Sequence, residues 1–227
     1  MPGLRCVFAG VALAILTMVS CRAAEVPPPR SYGQAMSWYQ RAAEAGDVKA
    51  QYLLGLSLDR GLRGTANPGG AASWFGRAAE KGYAPAQFEL GRLYFLGRGV
   101  GRDDTQAAVW FGKAAAQGVA AAQYNLGLMK ERGLGGPADP AAAIAWFEKA
   151  EAGGIAEARL RLSILYAKGG AGESDLVRAL MWLDLAERAG LTVDPAFRRS
   201  LTENMTPEQI RAAADGADAH AKTPRAH

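Results

Sequence analysis

Residues 84–119 read APAQFELGRLYFLGRGVGRDDTQAAVWFGKAAAQGV, and residues 120–155 read AAAQYNLGLMKERGLGGPADPAAAIAWFEKAEAGGI. Laid over one another without a gap, they share Ala86-Gln87 with Ala122-Gln123, Leu90-Gly91 with Leu126-Gly127, and Trp110-Phe111 with Trp146-Phe147. The step is 36 residues, and it extends in both directions. All five tryptophans keep it: Trp38, Trp74, Trp110, Trp146 and Trp182. Glycines keep it at Gly46, Gly82, Gly118, Gly154 and Gly190, and again at Gly61, Gly97, Gly133 and Gly169. Alanines do so at Ala35, Ala71, Ala107, Ala143 and Ala179. Self-similarity at such a period identifies a stack of helical or other supersecondary units, each unable to bury its apolar face alone.

Each column has a physical role. Ala71, Trp74, Phe75, Ala78 and Ala79 fall at i, i+3, i+4, i+7 and i+8, the apolar stripe of an amphipathic helix. Ser31, Asn67, Asp103, Asp139 and Asp175 stand four residues ahead of the alanine column, where a short oxygen acceptor caps a helix start. Pro68 and Pro140 follow two of these caps, at the first helical position. Arg41, Arg77, Lys113 and Lys149 lie near the end, complementing the negative pole. The Gly46 to Gly190 column supplies the stop. This segment is helix B. A second segment, helix A, begins near Ala50, Ala86, Ala122 and Ala158, runs through Leu54-Gly55, Leu90-Gly91 and Leu126-Gly127, and carries Tyr94 and Tyr166. A loop of about six residues joins A to B, short enough for an antiparallel hairpin.

The Leu-Gly-x-x-Tyr core is similar to that of the tetratricopeptide repeat, whose period is about 34 residues. The longer step, the Ala-Gln-x-x-Leu-Gly-x-Leu-Tyr of 86–94, the Gly97-Arg98-Gly99-Val100 loop and the Trp110-Phe111-Gly112-Lys113-Ala114-Ala115 helix resemble Sel-one-like repeats more closely. The resemblance covers residues 31–191: a lone first helix B at 31–45, then repeats at 48–83, 84–119, 120–155 and 156–191. It implies an all-α, right-handed solenoid of antiparallel helix pairs with a concave surface lined by helices A. Departures are local. Lys130 replaces the tyrosine, Ser163 replaces the glycine, and Leu185 stands where its siblings are basic. The fourth repeat is therefore read as a terminal unit. Residues 192–218 follow as capping helices, one opening at Asp194-Pro195 and one at Thr206-Pro207-Glu208-Gln209, a capping box with proline at its first position. Residues 219–227 are expected to be a disordered tail.

The N-terminus reads as an address. Arg5 precedes an apolar run from Val7 to Val19, 13 residues long, shorter than the roughly 20 that span a bilayer. Residues 1–20 are expected to be a secretory signal peptide. Two cleavage readings stand side by side. Met18-Val19-Ser20-Cys21 resembles a bacterial lipobox that would make Cys21 the lipidated first residue, with Met18 where leucine is usual; alternatively, cleavage follows Ala23. Residues 21–30, with Pro27, Pro28 and Pro29, are expected to be a stiff linker. Export places the protein in the periplasm, on the outer membrane through a lipid at Cys21, or outside the cell. The only cysteines are Cys6 and Cys21, so the repeats hold together without disulfides.

Little chemistry is on offer. Both histidines, His220 and His227, lie in the expected tail, no cysteine falls in the repeats, and no phosphate loop or nucleophile elbow appears. Asp103, Asp139 and Asp175 are caps rather than an acid/base set. Some members of the resembling family are cysteine-rich and bind β-lactams, but the cysteine pairs are missing here. No enzyme activity, cofactor or metal is expected. Net charge is +4 on 26 basic and 22 acidic residues, without the concentrated basic face that nucleic acid requires. The tryptophan column reads as core, and Arg60, Arg132 and Lys168 as dipole-complementing ends of helix A.

The resemblance implies a monomeric adaptor with a protein partner, or in an alternative reading a regulatory subunit or chaperone of an envelope enzyme or sensor kinase. In helix A the columns pointing away from the alanine, Leu-Gly and tyrosine side are Tyr52, Phe88, Tyr124 and Leu160, and four residues on, Leu56, Arg92, Leu128 and Ile164. A solvated face would be polar, yet seven of these eight are apolar or aromatic. One account is a partner-binding groove with Arg92 as its polar anchor. The other is packing against the adjacent helices.

Overall fold

The computed structural model describes residues 32–223 except 63 and 171. The signal segment 1–20, the linker 21–30, Cys21 and the Ser31 cap lie outside the described residues. Among the described residues are eleven helices and no strand: α1 (Tyr32–Glu44), α2 (Val48–Asp59), α3 (Pro68–Glu80), α4 (Ala84–Leu96), α5 (Asp104–Ala116), α6 (Ala120–Arg132), α7 (Pro140–Ala152), α8 (Glu157–Ala167), α9 (Leu176–Arg188), α10 (Pro195–Thr202) and α11 (Pro207–Lys222). The odd-numbered helices from α1 to α9 are helices B, and α2, α4, α6 and α8 are helices A. From α1 to α9 each packs on its neighbours in the chain, an α-solenoid of stacked hairpins, and α11 lies against α9.

Local hydrogen bonds explain the boundaries. The side chains of Asn67, Asp103, Asp139 and Asp175 each accept from the backbone N–H three residues on, at 2.9 Å. The same residues' own N–H groups donate back to Leu58, Tyr94, Lys130 and Tyr166, which pins the end of helix A to the start of helix B. At the far end, Tyr83, Val119 and Ile155 donate to Ala78, Ala114 and Ala150, closing α3, α5 and α7. That closure turns the chain through Gly82 at φ 86°, a left-handed conformation that glycine adopts without strain.

Packing turns on one contact repeated three times. Phe75, Phe111 and Phe147 are fully buried, each following a tryptophan. A Cβ added at Gly55, Gly91 or Gly127 would come 2.6, 2.8 or 2.7 Å from the ring of that phenylalanine. Helix A therefore approaches helix B closely because it has no side chain there. In the fourth repeat both partners change: Ser163 takes the glycine column and the smaller Leu183 takes the phenylalanine column, and the Ser163 hydroxyl donates to the Ala179 carbonyl at 2.7 Å.

A second column joins one repeat to the next. The side chains of Gln51, Gln87 and Gln123 are buried and donate to the carbonyls of Ala43, Ala79 and Ala115 at 3.0, 3.1 and 3.1 Å. Where the third repeat meets the fourth, both members change, with Glu151 in the alanine column and Arg159 in the glutamine column. Arg159 pairs with Glu151 at 2.7 Å and donates to the Leu185 carbonyl at 2.9 Å. Burial works against the Glu151 charge, but hydrogen bonds from Arg159 and His220 outweigh it and hold the carboxyl below its usual range.

Two expectations need correction. Residues 219–222 are not a disordered tail: α11 continues through Lys222. His220 sets its ring 4.9 Å from Trp182 and its Nε2 3.1 Å from Glu151, while Arg188 and Asp218 pair at 2.6 Å. Residues 224–227 are outside the described set. The tryptophans, too, are not uniformly core. Trp182 is buried beneath α11, but Trp74, Trp110 and Trp146 are half-buried, and Arg77, Lys113 and Lys149 lie over their rings at 4.5, 3.8 and 4.2 Å. The basic column thus covers aromatic surface by cation–π contact.

Gly91→Ala is expected to cost about 1–3 kcal/mol in urea unfolding by overpacking Phe111, and Gly91→Ala with Phe111→Leu to be less unstable than the sum of the two single changes. Strict additivity would contradict the contact. Glu151→Ala leaves the Arg159 charge buried without its partner and is expected to cost about 3–5 kcal/mol. Adding Arg159→Gln recreates the Ala–Gln pairing of the earlier repeats and should recover most of that loss in the same measurement.

Candidate functional site

The eight residues of the helix A columns come together as one face, all of them half-buried. Their undersides are occupied. The Tyr52 ring lies 5.9 Å from Phe75 and 5.3 Å from Tyr83, Phe88 lies 5.8 Å from Phe111, and Tyr124 lies 5.5 Å from Phe147. Each aromatic thus rests on the phenylalanine of its own hairpin. Leu56 packs with the α3–α4 core, while Leu128 and Leu160 pack with the last core. Their outer surfaces still meet solvent. The two accounts of these columns, groove and packing, describe the two sides of the same side chains.

Arg92 is engaged within the chain. Its Nη2 donates to Asp59 at 2.8 Å and its Nε to Glu89 at 2.7 Å, and Asp59 also accepts from Arg98 at 2.9 Å. Burial disfavours the guanidinium charge, but the bonds to Glu89 and Asp59 outweigh it and push Arg92 up from its ordinary value. Arg92 is therefore a strut between α2 and α4. Burial likewise raises the Tyr52 hydroxyl, and the nearby Glu89 charge adds to it.

Beside these columns runs another: Leu53, which is 40% exposed, then half-buried Glu89, Asn125 and Arg161. At the ends of the helices stand exposed Arg60, Leu96, Arg132 and Lys168. Reasoning from the sequence missed Leu53 and Leu96. It also missed the Glu151–Arg159 pair, although the simultaneous departure of both residues from their columns was a visible signal. No group of three or more His, Cys, Asp or Glu that could hold a metal occurs among the described residues. No helix among them is long and apolar enough to cross a membrane.

The Sel1 repeat model matches residues 26–47, 48–83, 84–119, 120–155 and 156–191. The chain belongs to the Sel1 repeat family. Its fold is similar to the crystal structure of a Sel1 repeat protein from Oxalobacter formigenes, with a TM-score of 0.65 and 24% identity over 83% of this chain and 94% of that one. It is also similar to c5321, a protective antigen of uropathogenic Escherichia coli displaying an SLR fold, with a TM-score of 0.51 and 27% identity. That match covers 87% of this chain and 50% of the antigen, so the chain spans half of that protein. No curated protein matches the chain. Sel1 repeat proteins generally act as protein–protein interaction scaffolds and are typically not enzymes.

Because Phe88 is shared between core and surface, Phe88→Ala should cost about 2 kcal/mol, below the roughly 3–5 kcal/mol of a fully buried ring. Ile164→Ala, at a half-buried position outside the core clusters, should cost about 1 kcal/mol or less. Urea unfolding of both variants checks the ordering.

Proposed function

We propose that this Sel1 repeat protein is an exported scaffold that holds a partner protein along its helix A face. The observation that carries the reading is the run of Tyr52, Phe88, Tyr124 and Leu160 on four successive helices A, each seated on the core and open to solvent on its other side. Seating fixes the rotamer before a partner arrives, which lowers the ordering cost of binding. Aromatic surface held in this way suits an interface, where a few large side chains carry most of the affinity. Leu53 and Leu96 widen the apolar strip, while Arg60, Arg132 and Lys168 border it.

Arg92 contributes to this face by bracing it. With Asp59 and Glu89 satisfying its donors, it fixes α4 against α2 and so fixes the spacing of Tyr52 and Phe88. Export rests on the apolar run Val7 to Val19 and on Cys21 directly after it. In this reading Cys21 is the attachment point of a lipid anchor. Bacterial lipoproteins carry more than one acyl chain, enough for stable attachment.

A photo-crosslinking residue placed at Leu53, Asn125 or Arg161 should give the same adduct from all three positions, and none from Ala116 on α5. Adducts from Ala116 alone would move the interface to helices B. Cells fed labelled fatty acid should label the protein, and Cys21→Ser should abolish the label. A mature N-terminus at Ala24 would instead make the exported form soluble.

A further inference from the structure

The helices B α3, α5, α7 and α9 are separated by three clefts, and the first of these three differs from the others. Between α3 and α5 lies a cavity of about 350 Å³, bordered by Gly69, Ser73, Gly76, Glu80, Tyr94 and Trp110. Small residues keep it open: a Cβ at Gly76 would meet nothing within 4 Å.

The repeat supplies an internal comparison. The columns that hold Gly76, Tyr94 and Gln106 in this cleft hold Glu148, Tyr166 and Arg178 between α7 and α9. There the Tyr166 hydroxyl donates to Glu148 at 2.9 Å, and the Arg178 guanidinium stands 5.4 Å over the Tyr166 ring. Between α5 and α7 the tyrosine column itself holds a cation, Lys130. The last cleft thus contains a cation from this chain, and the middle one has a lysine in its tyrosine column. No basic side chain borders the first. It has two aromatic rings, and its Glu80 carboxylate and Tyr94 hydroxyl have no polar partner among the described residues. Trp110 already attracts Lys113, 3.8 Å over its ring.

We propose that the α3–α5 cleft binds an arginine side chain of a partner protein, occupying the place that Arg178 takes in the last cleft. The guanidinium lies against the faces of Tyr94 and Trp110, and the Glu80 carboxylate accepts its N–H groups. An arginine meets all of these at once, being planar, always charged and weakly hydrated. The cavity is within the size range of small-ligand pockets. The site lies between two helices B, with Tyr94 reaching it from α4, and uses none of the eight residues of the helix A face.

The test titrates the full chain with N-acetylarginine amide and follows the Trp110 indole N–H resonance. N-acetylcitrulline amide, of the same shape without the charge, is the control. The proposal predicts a saturable shift with arginine and at least tenfold weaker binding of citrulline. Glu80→Gln and Gly76→Leu should each weaken arginine binding at least fivefold. Both positions tolerate substitution, since Glu80 is exposed and Gly76 has space, and an unchanged helical spectrum confirms that the variants fold. Absence of a saturable shift, equal binding of citrulline, or indifference to either substitution overturns the proposal.

Discussion

The structure depends on the contact between a glycine of helix A and a phenylalanine ring of helix B. At Gly55, Gly91 and Gly127 the missing Cβ lets the ring lie directly on backbone, at a distance no other residue permits. Everything at the surface is set by that approach. Because the phenylalanine is held under helix A, Tyr52, Phe88 and Tyr124 have a floor to rest on. Because it is drawn inward, the preceding tryptophan is turned part-way out and a basic residue three positions on covers it. The hydrophobic contribution is thus concentrated at one place per hairpin, and the surrounding columns adjust to it.

The repeat, the helix boundaries and the caps were legible in the sequence because they depend on local chemistry recurring every 36 residues. Asn67 and Asp103 cap whatever lies beyond them. What local chemistry does not encode was less visible. Trp and Phe are adjacent in α3, α5 and α7, and composition does not say which of them faces inward. Arg92 looked free because its partner, Asp59, is 33 residues away in the previous helix A. His220 looked like part of a tail because the reason for its order, Glu151 and Trp182, lies in other helices. The columns still held usable information: paired departures such as Ala→Glu151 with Gln→Arg159 mark contacts, since neither change is tolerable alone.

The fourth repeat shows how an end is specified. Its glycine, phenylalanine and glutamine columns all change, and Arg159 forms a buried ion pair with Glu151, the changed alanine at the end of the third repeat, which His220 reaches from α11. An apolar end would accept another repeat or another molecule. A charged pair that must be satisfied favours α11 instead, and α11 buries Ala213, Ala217 and Trp182 while presenting polar residues outward. The solenoid thus ends by changing its contact chemistry, while the earlier hairpins keep theirs and leave their surfaces available for partners.

If each hairpin depends only on its neighbours, the stack should be modular. Deleting residues 84–119 keeps every remaining glycine opposite its phenylalanine and every remaining glutamine opposite its carbonyl. Circular dichroism of that deletion during thermal unfolding is the most direct test. The account predicts a helical, cooperatively folded protein with a lower midpoint than the full chain. Loss of the helical signal at all temperatures would show that the structure depends on contacts spanning several repeats, and would contradict it.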